Sequence, residues 1–205
     1  MDGAPVRVPA GFTLLETTRA AGVQIPTLCW QPDLAHHASC MICLVEDEAT
    51  GALLPSCSVP AENGQHISTS SRKAVEARRA SLELLLADHE SDCAECVKAR
   101  SCVLRRLERE LGADRRRFRA PSFPRREAVA AEGGLSWRAS KCIRCGICVR
   151  ICERTGVRPG ISFSGRGFEL SIRGALGAGV GTALGEAAAE CISRCPTGAL
   201  ARQES

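Results

Sequence analysis

The sequence lacks tyrosine and has few aromatic residues of any kind, with five Phe and two Trp in 205 residues. It also has little net charge, because 27 Lys and Arg are nearly balanced by 23 Asp and Glu, which leaves a formal charge of +4. That charge is too small to indicate nucleic acid as a partner. The apolar fraction of 44% is enough for a core, and the composition excludes a wholly disordered chain.

Long hydrophobic runs are also missing from the sequence. No stretch of 18 uncharged apolar residues is present, so we expect no helix that spans a membrane. The first ten residues lack the basic and apolar stretches of a secretory signal, so we expect a cytoplasmic protein, either free or attached to a membrane through a complex. Thiols stay reduced in that compartment, so disulfides do not explain the cysteines of this chain.

Thirteen cysteines are the abnormal feature of the composition, and long cysteine-free stretches divide them into blocks. The blocks are Cys29, Cys40, Cys43 and Cys57; Cys93, Cys96 and Cys102; and a last block in two parts, Cys142, Cys145, Cys148 and Cys152 followed by Cys191 and Cys195. Small modules bury too little surface to be stable alone, and bound metal supplies the missing stabilisation. We therefore predict three metal-binding domains in series, over residues 1–70, 71–120 and 136–205.

Local signals predict the elements of the first two domains. Thr13 and Glu16 form a capping box that begins a helix, and Gly22 is suited to follow its end. Another helix begins after Ser70 or Ser71 and continues to Ala87. A further helix begins near Cys102, presents Leu104, Leu107 and Leu111 on one face, and ends at Gly112. Short strands are predicted at 44–46, 53–54 and 65–69.

An arginine-rich segment separates the second domain from the third. It contains Arg115, Arg116, Arg117, Arg119, Arg125 and Arg126. Such a segment can contact phosphate. The alternative is a connector, interrupted by Pro121 and Pro124, whose arginines lie against acidic neighbours or solvent. We favour the connector because the nearby aromatic residues are only Phe118 and Phe123.

The spacing of Cys142, Cys145 and Cys148 suits three corners of one iron–sulfur cube. In bacterial ferredoxins the fourth cysteine of such a run serves the other cluster and is followed by proline. Here the Cys-Pro pair occurs downstream, at Cys195. We therefore predict a 4Fe–4S cluster held by these four cysteines. A structural zinc site is the alternative, although zinc favours two separated cysteine pairs.

A second cube in this domain has lost its ligands. It would need cysteines at 185, 188 and 191, and the chain has Gly185, Ala188 and Cys191. Cys152 and Cys191 are left over, and we expect them to lie near each other without holding a cube.

The first block, Cys29, Cys40, Cys43 and Cys57, suits a 2Fe–2S cluster in which each iron takes two thiolates. Its ten-residue first gap departs from the four-residue gap of plant ferredoxins, and zinc remains the alternative. The middle block combines His89 with Cys93, Cys96 and Cys102, a set that also suits zinc. If this set holds a cluster, the neutral imidazole raises its reduction potential, as in Rieske centres.

The order of the three blocks resembles the N-terminal iron–sulfur region of the large peripheral-arm subunit of respiratory complex I. It is similar also to the small diaphorase subunit of NAD-reducing hydrogenases, and to the N-terminal parts of NAD-dependent formate dehydrogenases and iron-only hydrogenases. The motifs that carry the resemblance are Ile25–Trp30, Ser39–Cys43, Asp88-His89 with the three cysteines that follow, Lys141–Arg150 and Cys195–Leu200.

The resemblance implies an α+β chain with three parts. These are a β-grasp 2Fe–2S ferredoxin-like domain, a small helical 4Fe–4S domain with His89, Cys93, Cys96 and Cys102 as ligands, and a bacterial-ferredoxin-like 4Fe–4S domain. The implied cofactors are one 2Fe–2S and two 4Fe–4S clusters. Family members also open with a strand, a turn and a second strand. Here Asp2-Gly3 fits the turn and Val6–Val8 the second strand, so we expect the natural chain to begin upstream.

The implied function is an electron relay between a flavin subunit that binds NAD(H) and a hydrogenase, formate dehydrogenase or quinone-reducing module. The residues offer no catalytic nucleophile and no nucleotide site of their own. Gly177-x-Gly179-x-Gly181 lacks the strand that precedes a dinucleotide fingerprint, so we predict a flexible loop there. The alternative function is a zinc-binding interaction or nucleic-acid module.

Overall fold

The computed structural model describes residues 1–89, 92–94, 96–119, 130–132 and 134–203, with the backbone alone for 130–132. Within these residues the chain forms a mixed α/β structure with three small antiparallel sheets. The helices are α1 (Leu14–Ala20), α2 (Arg72–Ala87), α3 (Val103–Leu111), α4 (Ile147–Thr155), α5 (Val180–Leu184) and α6 (Ala188–Arg194). The strands are β1 (Leu44–Asp47), β2 (Leu53–Pro55), β3 (Ile67–Ser68), β4 (Ala130–Glu132), β5 (Leu135–Trp137), β6 (Ile161–Ser164), β7 (Ser171–Gly174) and β8 (Leu200–Arg202).

The first sheet has the order β2-β1-β3 and packs against α1. Helix α1 begins at the predicted capping box, because the Thr13 hydroxyl accepts the Glu16 N–H at 3.2 Å and the Glu16 carboxylate accepts the Thr13 N–H at 2.8 Å. Leu14 and Leu15 are buried against Val45 of β1. The predictions of α1 and of these short strands are confirmed.

The predicted strand at Val6–Val8 is wrong, since this segment pairs with no strand in the described part of the chain. Pro5 and Pro9 flank it, and proline has no N–H to donate to a ladder. The N-terminus instead meets the sheet at Asp2, whose N–H donates to the carbonyl of Ile67 at 2.8 Å. The Asp2 carboxylate accepts the N–H and the hydroxyl of Thr69, each at 2.7 Å.

Helices α2 and α3 pack on each other and begin and end as predicted. The hydroxyl of Ser71 caps α2, and α3 ends at Gly112, which takes the left-handed backbone with φ of 59°. Leu82 and Leu86 are buried on the inner face of α2. Arg78 shares that face and is buried too, because its guanidinium donates to the carbonyl of Leu44 at 2.7 Å.

The last part of the chain combines the β4-β5-β8 sheet, the β6–β7 hairpin and three short helices. Helices α4 and α6 lie against each other. The flexible loop predicted around Gly179 is wrong, because α5 begins at Val180. The apolar spacing of Val180, Ala183 and Leu184 places all three in the core.

A single apolar core joins α2 and α3 to the last part of the chain. The same core reaches Leu28, Cys29 and Ile42 of the first part, so the cysteine blocks lie around shared packing. None of the described helices has both the length and the apolar character needed to cross a membrane.

The described residues of the arginine-rich segment agree with the connector interpretation, because two of the arginines pair with acidic neighbours. Arg117 pairs with the buried carboxylate of Glu83 at 2.9 Å, and Arg115 pairs with Glu108. Pro121, Phe123, Pro124, Arg125 and Arg126 lie outside the described residues.

Candidate metal centres

The first site comprises Cys29, Cys40, Cys43 and Cys57, and all four side chains are buried. The thiols of Cys40 and Cys57 hydrogen-bond to Cys29, and Cys43 hydrogen-bonds to Cys57. Backbone N–H groups of Ser39 and Cys40 also donate to the sulfur of Cys29. The structure therefore brings together the four predicted residues of this site.

Hydrogen bonding couples the ionisation of the sulfurs of the first site. The Cys40 thiol, and next the Cys57 thiol, donate to Cys29 and lower its pKa to about 2. The pKa values of Cys40 and Cys57 are raised, because both lose their donor role when they ionise. The Cys57 thiol lowers the pKa of Cys43 to about 7. The thiolate is the metal-binding form, and these contacts favour it at Cys29 and Cys43 while they disfavour it at Cys40 and Cys57.

A tight loop positions Cys40 and Cys43. Ala38 and Met41 take left-handed backbone conformations, with φ of 48° and 54°, which curl the chain between the cysteines. The Ser56 hydroxyl donates to the carbonyl of Cys43 at 2.7 Å and ties the Cys57 turn to this loop. Met41 is exposed, so the loop lies at the surface while its sulfurs point inward.

The second site comprises His89, Cys93, Cys96 and Cys102, which line one small cavity. Helix α2 ends next to His89, and Cys102 is the N-cap of α3. The cavity wall also includes Lys141, whose ammonium donates to the carbonyl of Asp92 at 2.8 Å. All four predicted residues of the second site therefore surround one space.

The third site comprises Cys142, Cys145, Cys148 and Cys195, which line a separate small cavity. Cys148 lies on α4, and Cys195 follows α6, so the packing of these two helices brings the distant cysteine into place. The N–H of Arg144 donates to the sulfur of Cys142 at 3.3 Å.

Burial governs the ionisation of the third site. It raises the pKa of Cys148 to about 12 and that of Cys145 well above the ordinary thiol value. A buried thiolate without a metal is unfavourable, because its charge is removed from water. Backbone N–H groups of Ile147 and Val149 act in the opposite direction by donating to these sulfurs. A bound cation would therefore compensate a charge that the apolar cavity disfavours.

Cys152 and Cys191 lie in contact, as expected for the remnant of a second cube. Their thiols hydrogen-bond to each other across α4 and α6, and both side chains are buried. The contact with Cys191 lowers the pKa of Cys152 to about 7 and raises that of Cys191.

The third site lies between the other two. The Cys96 thiol of the second site contacts the carbonyl of Thr197, two residues after Cys195, at 3.7 Å. Towards the first site, Arg150 of α4 donates to the carbonyls of Cys29, at 2.5 Å, and Cys145. The spatial order is therefore first, third, second, which differs from the order in the sequence.

Three charged contacts of these sites were not predicted from the sequence. Arg150 and Lys141 are buried beside them, and Arg144 forms an ion pair with Asp88, next to His89. Both Lys141 and Arg150 belong to the cysteine motif Lys141–Arg150, and this position was the one sign in the sequence that they lie near a site. Nothing in their spacing distinguishes a buried cation from a solvated one.

The donor sets fit iron–sulfur clusters. Cysteine thiolates hold both 2Fe–2S and 4Fe–4S clusters, and histidine replaces cysteine in some of them. The fit of the second and third sites rests on the two cavities that four predicted ligands each surround.

Two known families match separate parts of the chain. Residues 1–72 match the 2Fe-2S iron-sulfur cluster binding domain. Residues 78–117 match the NADH-ubiquinone oxidoreductase-G iron-sulfur binding region. The first match includes the whole first site and the second includes the whole second site.

Similar proteins align with almost the whole chain. The 78 kDa subunit of mitochondrial NADH-ubiquinone oxidoreductase from Candida albicans is 32% identical over 98% of this chain. A subunit of the NADP-reducing hydrogenase of Solidesulfovibrio fructosivorans is 32% identical over 100% of it. The chain spans only 28% and 36% of the lengths of these two relatives.

A solved structure matches the fold of this chain over its whole length. The crystal structure of an NAD+-reducing NiFe-hydrogenase in the H2-reduced state contains a chain that is 33% identical, with a TM-score of 0.86. The match covers 100% of this chain and 86% of the other. Fold, sites and relatives together define an iron–sulfur protein. The chain belongs to the iron–sulfur subunit family shared by NADH-ubiquinone oxidoreductase and NAD(P)-reducing hydrogenases. These matches give no support to the zinc-binding or nucleic-acid alternative.

Proposed function

We propose that this chain is an electron-relay subunit. The observation that carries the proposal is the row of three cysteine-rich sites, in which the third site contacts both of the others. The fold of the matched hydrogenase chain and the two iron–sulfur families over residues 1–72 and 78–117 support it.

The ligand sets follow from the three sites. Cys29, Cys40, Cys43 and Cys57 would hold a 2Fe–2S cluster in a β-grasp ferredoxin-like domain. His89, Cys93, Cys96 and Cys102 would hold a 4Fe–4S cluster in a small helical domain. Cys142, Cys145, Cys148 and Cys195 would hold another 4Fe–4S cluster in a bacterial-ferredoxin-like domain. When bound, such clusters accept and release single electrons at potentials that the surrounding protein sets.

The side chains of this protein supply the environment for that chemistry. Burial of Cys29, Cys43 and Cys145 keeps water from the first and third sites. Backbone N–H groups donate to the sulfurs of both sites and favour their thiolate forms. His89 brings a neutral ligand to the second site, which therefore carries less negative charge than a site with four thiolates.

The partners follow from the family. One is a flavin subunit that exchanges electrons with NAD(H). The other is a hydrogenase, formate dehydrogenase or quinone-reducing module. The chain contributes no catalytic residue in this proposal, and its three domains correspond to residues 1–70, 71–120 and 136–205.

Iron and sulfide analysis of the anaerobically reconstituted chain tests the proposal. Two 4Fe–4S clusters and one 2Fe–2S cluster give about ten irons per chain. The protein is then brown, and its reduced form shows three paramagnetic signals. A colourless protein with stoichiometric zinc and almost no iron would contradict the proposal.

A further inference from the structure

The two largest fully buried side chains among the described residues are both cationic. Arg150 exposes 2% of its surface and Lys141 exposes 1%. Long charged side chains are rarely buried to this extent unless a partner neutralises them. Within the described residues both donate their hydrogen bonds to backbone carbonyls, and neither pairs with a carboxylate.

Arg150 lies at the junction of the first and third sites. Its guanidinium donates to the carbonyl of Cys29 at 2.5 Å and to that of Ala35 at 2.6 Å, both in the loop of the first site. It also donates to the carbonyls of Gly146 and Cys145, in the loop of the third site, at 3.2 and 3.4 Å. One buried cation therefore bonds directly to ligand residues of both sites.

Lys141 occupies the corresponding place between the second and third sites. Its side chain forms part of the wall of the second cavity and donates to the carbonyl of Asp92, next to Cys93. Its backbone immediately precedes Cys142 of the third site. Each of the two junctions along the row thus contains one buried positive charge.

We propose that Arg150 and Lys141 are positioning residues for electron relay, each neutralising the negative charge of the two sites that it joins. This inference rests on the proposed function, because anionic clusters are the counter-charge that these two cations lack among the described residues. The guanidinium is suited to the first junction, since its planar donors reach several carbonyls at once.

The charge has a predictable effect on reduction. Thiolate ligands make each site negative, and one added electron makes it more negative by one charge. A nearby cation stabilises the reduced form more than the oxidised form and raises the reduction potential. Because the surroundings are buried, solvent and salt screen this interaction poorly. Loss of one cation should therefore lower the reduction potentials of the two adjacent sites and leave that of the remaining site unchanged.

Redox titration of the reconstituted full chain, followed by electron paramagnetic resonance, tests the inference. In Arg150→Met we expect the potentials of the first and third sites to become more negative and that of the second to stay unchanged. In Lys141→Met we expect the second and third sites to shift while the first does not. Arg150→Lys keeps the charge and should retain potentials close to those of the natural chain.

Arg154→Gln is the matched control. Arg154 lies one turn further along α4 and also joins the first part of the chain to the third, through Asp33 and Glu190. It is partly exposed and paired with carboxylates, so its loss should leave all three potentials unchanged.

The outcomes separate the two proposals. A natural chain that binds no clusters refutes the proposed function. Clusters whose potentials do not respond to Arg150→Met or Lys141→Met, or respond equally to Arg154→Gln, overturn the inference alone. If Arg150→Met fails to assemble its clusters, Arg150→Lys decides. Normal assembly and potentials with lysine support the role of the charge, and failure with lysine overturns it.

Discussion

Single residues determine the charge of the second site and the packing between the second and third sites. His89 is the one non-cysteine member of the twelve predicted ligands. Gly198, three residues after Cys195, lies where the loop of the second site packs on the third. The residue at position 89 affects the charge of the second site, whereas a side chain at position 198 would collide with the loop of that site. Each effect leads to a different prediction.

Replacing His89 by cysteine should lower the reduction potential of the second site. Cysteine keeps a ligand but adds a negative charge, which disfavours the reduced form. His89→Ala should instead destabilise that cluster and leave the other two in place. Redox titration with iron analysis measures both effects. His66→Cys, at an exposed histidine far from the predicted ligands in sequence, is the control and should change neither quantity. Unchanged potential and iron content in both His89 variants would remove His89 from the ligand set.

Replacing Gly198 by alanine should destabilise the contact between the second and third sites. Gly198 has φ of 71°, and an added Cβ would lie 2.9 Å from the Val97 side chain and 3.4 Å from the Cys96 sulfur. Backbone strain of this kind costs roughly 1–3 kcal/mol, and the collision adds to it.

Gly156→Ala isolates the strain from the collision. Gly156 has the same φ of 71°, but nothing lies within 4 Å of its added Cβ. We expect thermal unfolding to show a larger loss of stability for Gly198→Ala than for Gly156→Ala. Equal losses would show that the packing at Gly198 is unimportant.

At the scale of elements, helices α4 and α6 provide the scaffold of the third site. Their contact places Cys195 opposite the loop from Cys142 to Cys148, and the same contact brings Cys152 to Cys191. Two short helices thus support one predicted cluster site and one thiol pair. The pair lies in the apolar core, where a buried cysteine packs as a small apolar side chain does.

Replacing Cys152 and Cys191 together by alanine should leave the iron content unchanged. The pair lacks two of the ligands that a second cube would need, so its loss removes no cluster. Iron analysis of the reconstituted variant measures this. Cys148→Ala, one turn earlier on α4, is the positive control and should lose about four irons. A similar loss in the double variant would show that the pair ligates a cluster.

The whole molecule is a row of sites held by a shared core and by charged contacts across it. At the surface, Asp33 of the first part accepts hydrogen bonds from Arg154 and Arg194 of the third part. The Arg194 hydrogen bond lowers the pKa of Asp33. Its small contribution to stability is therefore present above the ordinary Asp range and is lost as pH falls through the lowered pKa.

The reconstituted chain alone should not oxidise NADH. The proposed clusters carry single electrons and not hydride, so a flavin partner must convert the hydride of NADH into single electrons. Adding that partner should restore electron flow from NADH to an artificial acceptor, measured by dye reduction. Turnover by the isolated chain at ordinary enzyme rates, roughly 1–1000 per second, would show that it contains its own nucleotide site.

The sequence by itself determined the three cysteine blocks and most of the local elements. Capping at Thr13 and Ser71 and the stop at Gly112 depend on neighbours within a few residues, so the pattern alone predicts them. The cysteine pattern, together with His89 in the second block, likewise predicted four members for each site. The prediction at Val6–Val8 failed because it overlooked the flanking Pro5 and Pro9, whereas the helix after Gly179 depends on packing against distant elements.

Only the tertiary structure decided the order of the sites and the charges between them. The third site lies in the middle because α4 packs between the loop of Cys29 and the helix that precedes Cys195, a relation across more than a hundred residues. In the sequence, nothing distinguishes Lys141 and Arg150 from exposed charged residues of a cysteine motif. Their burial follows from the elements that close over them, and burial is what makes one positive charge effective at two sites.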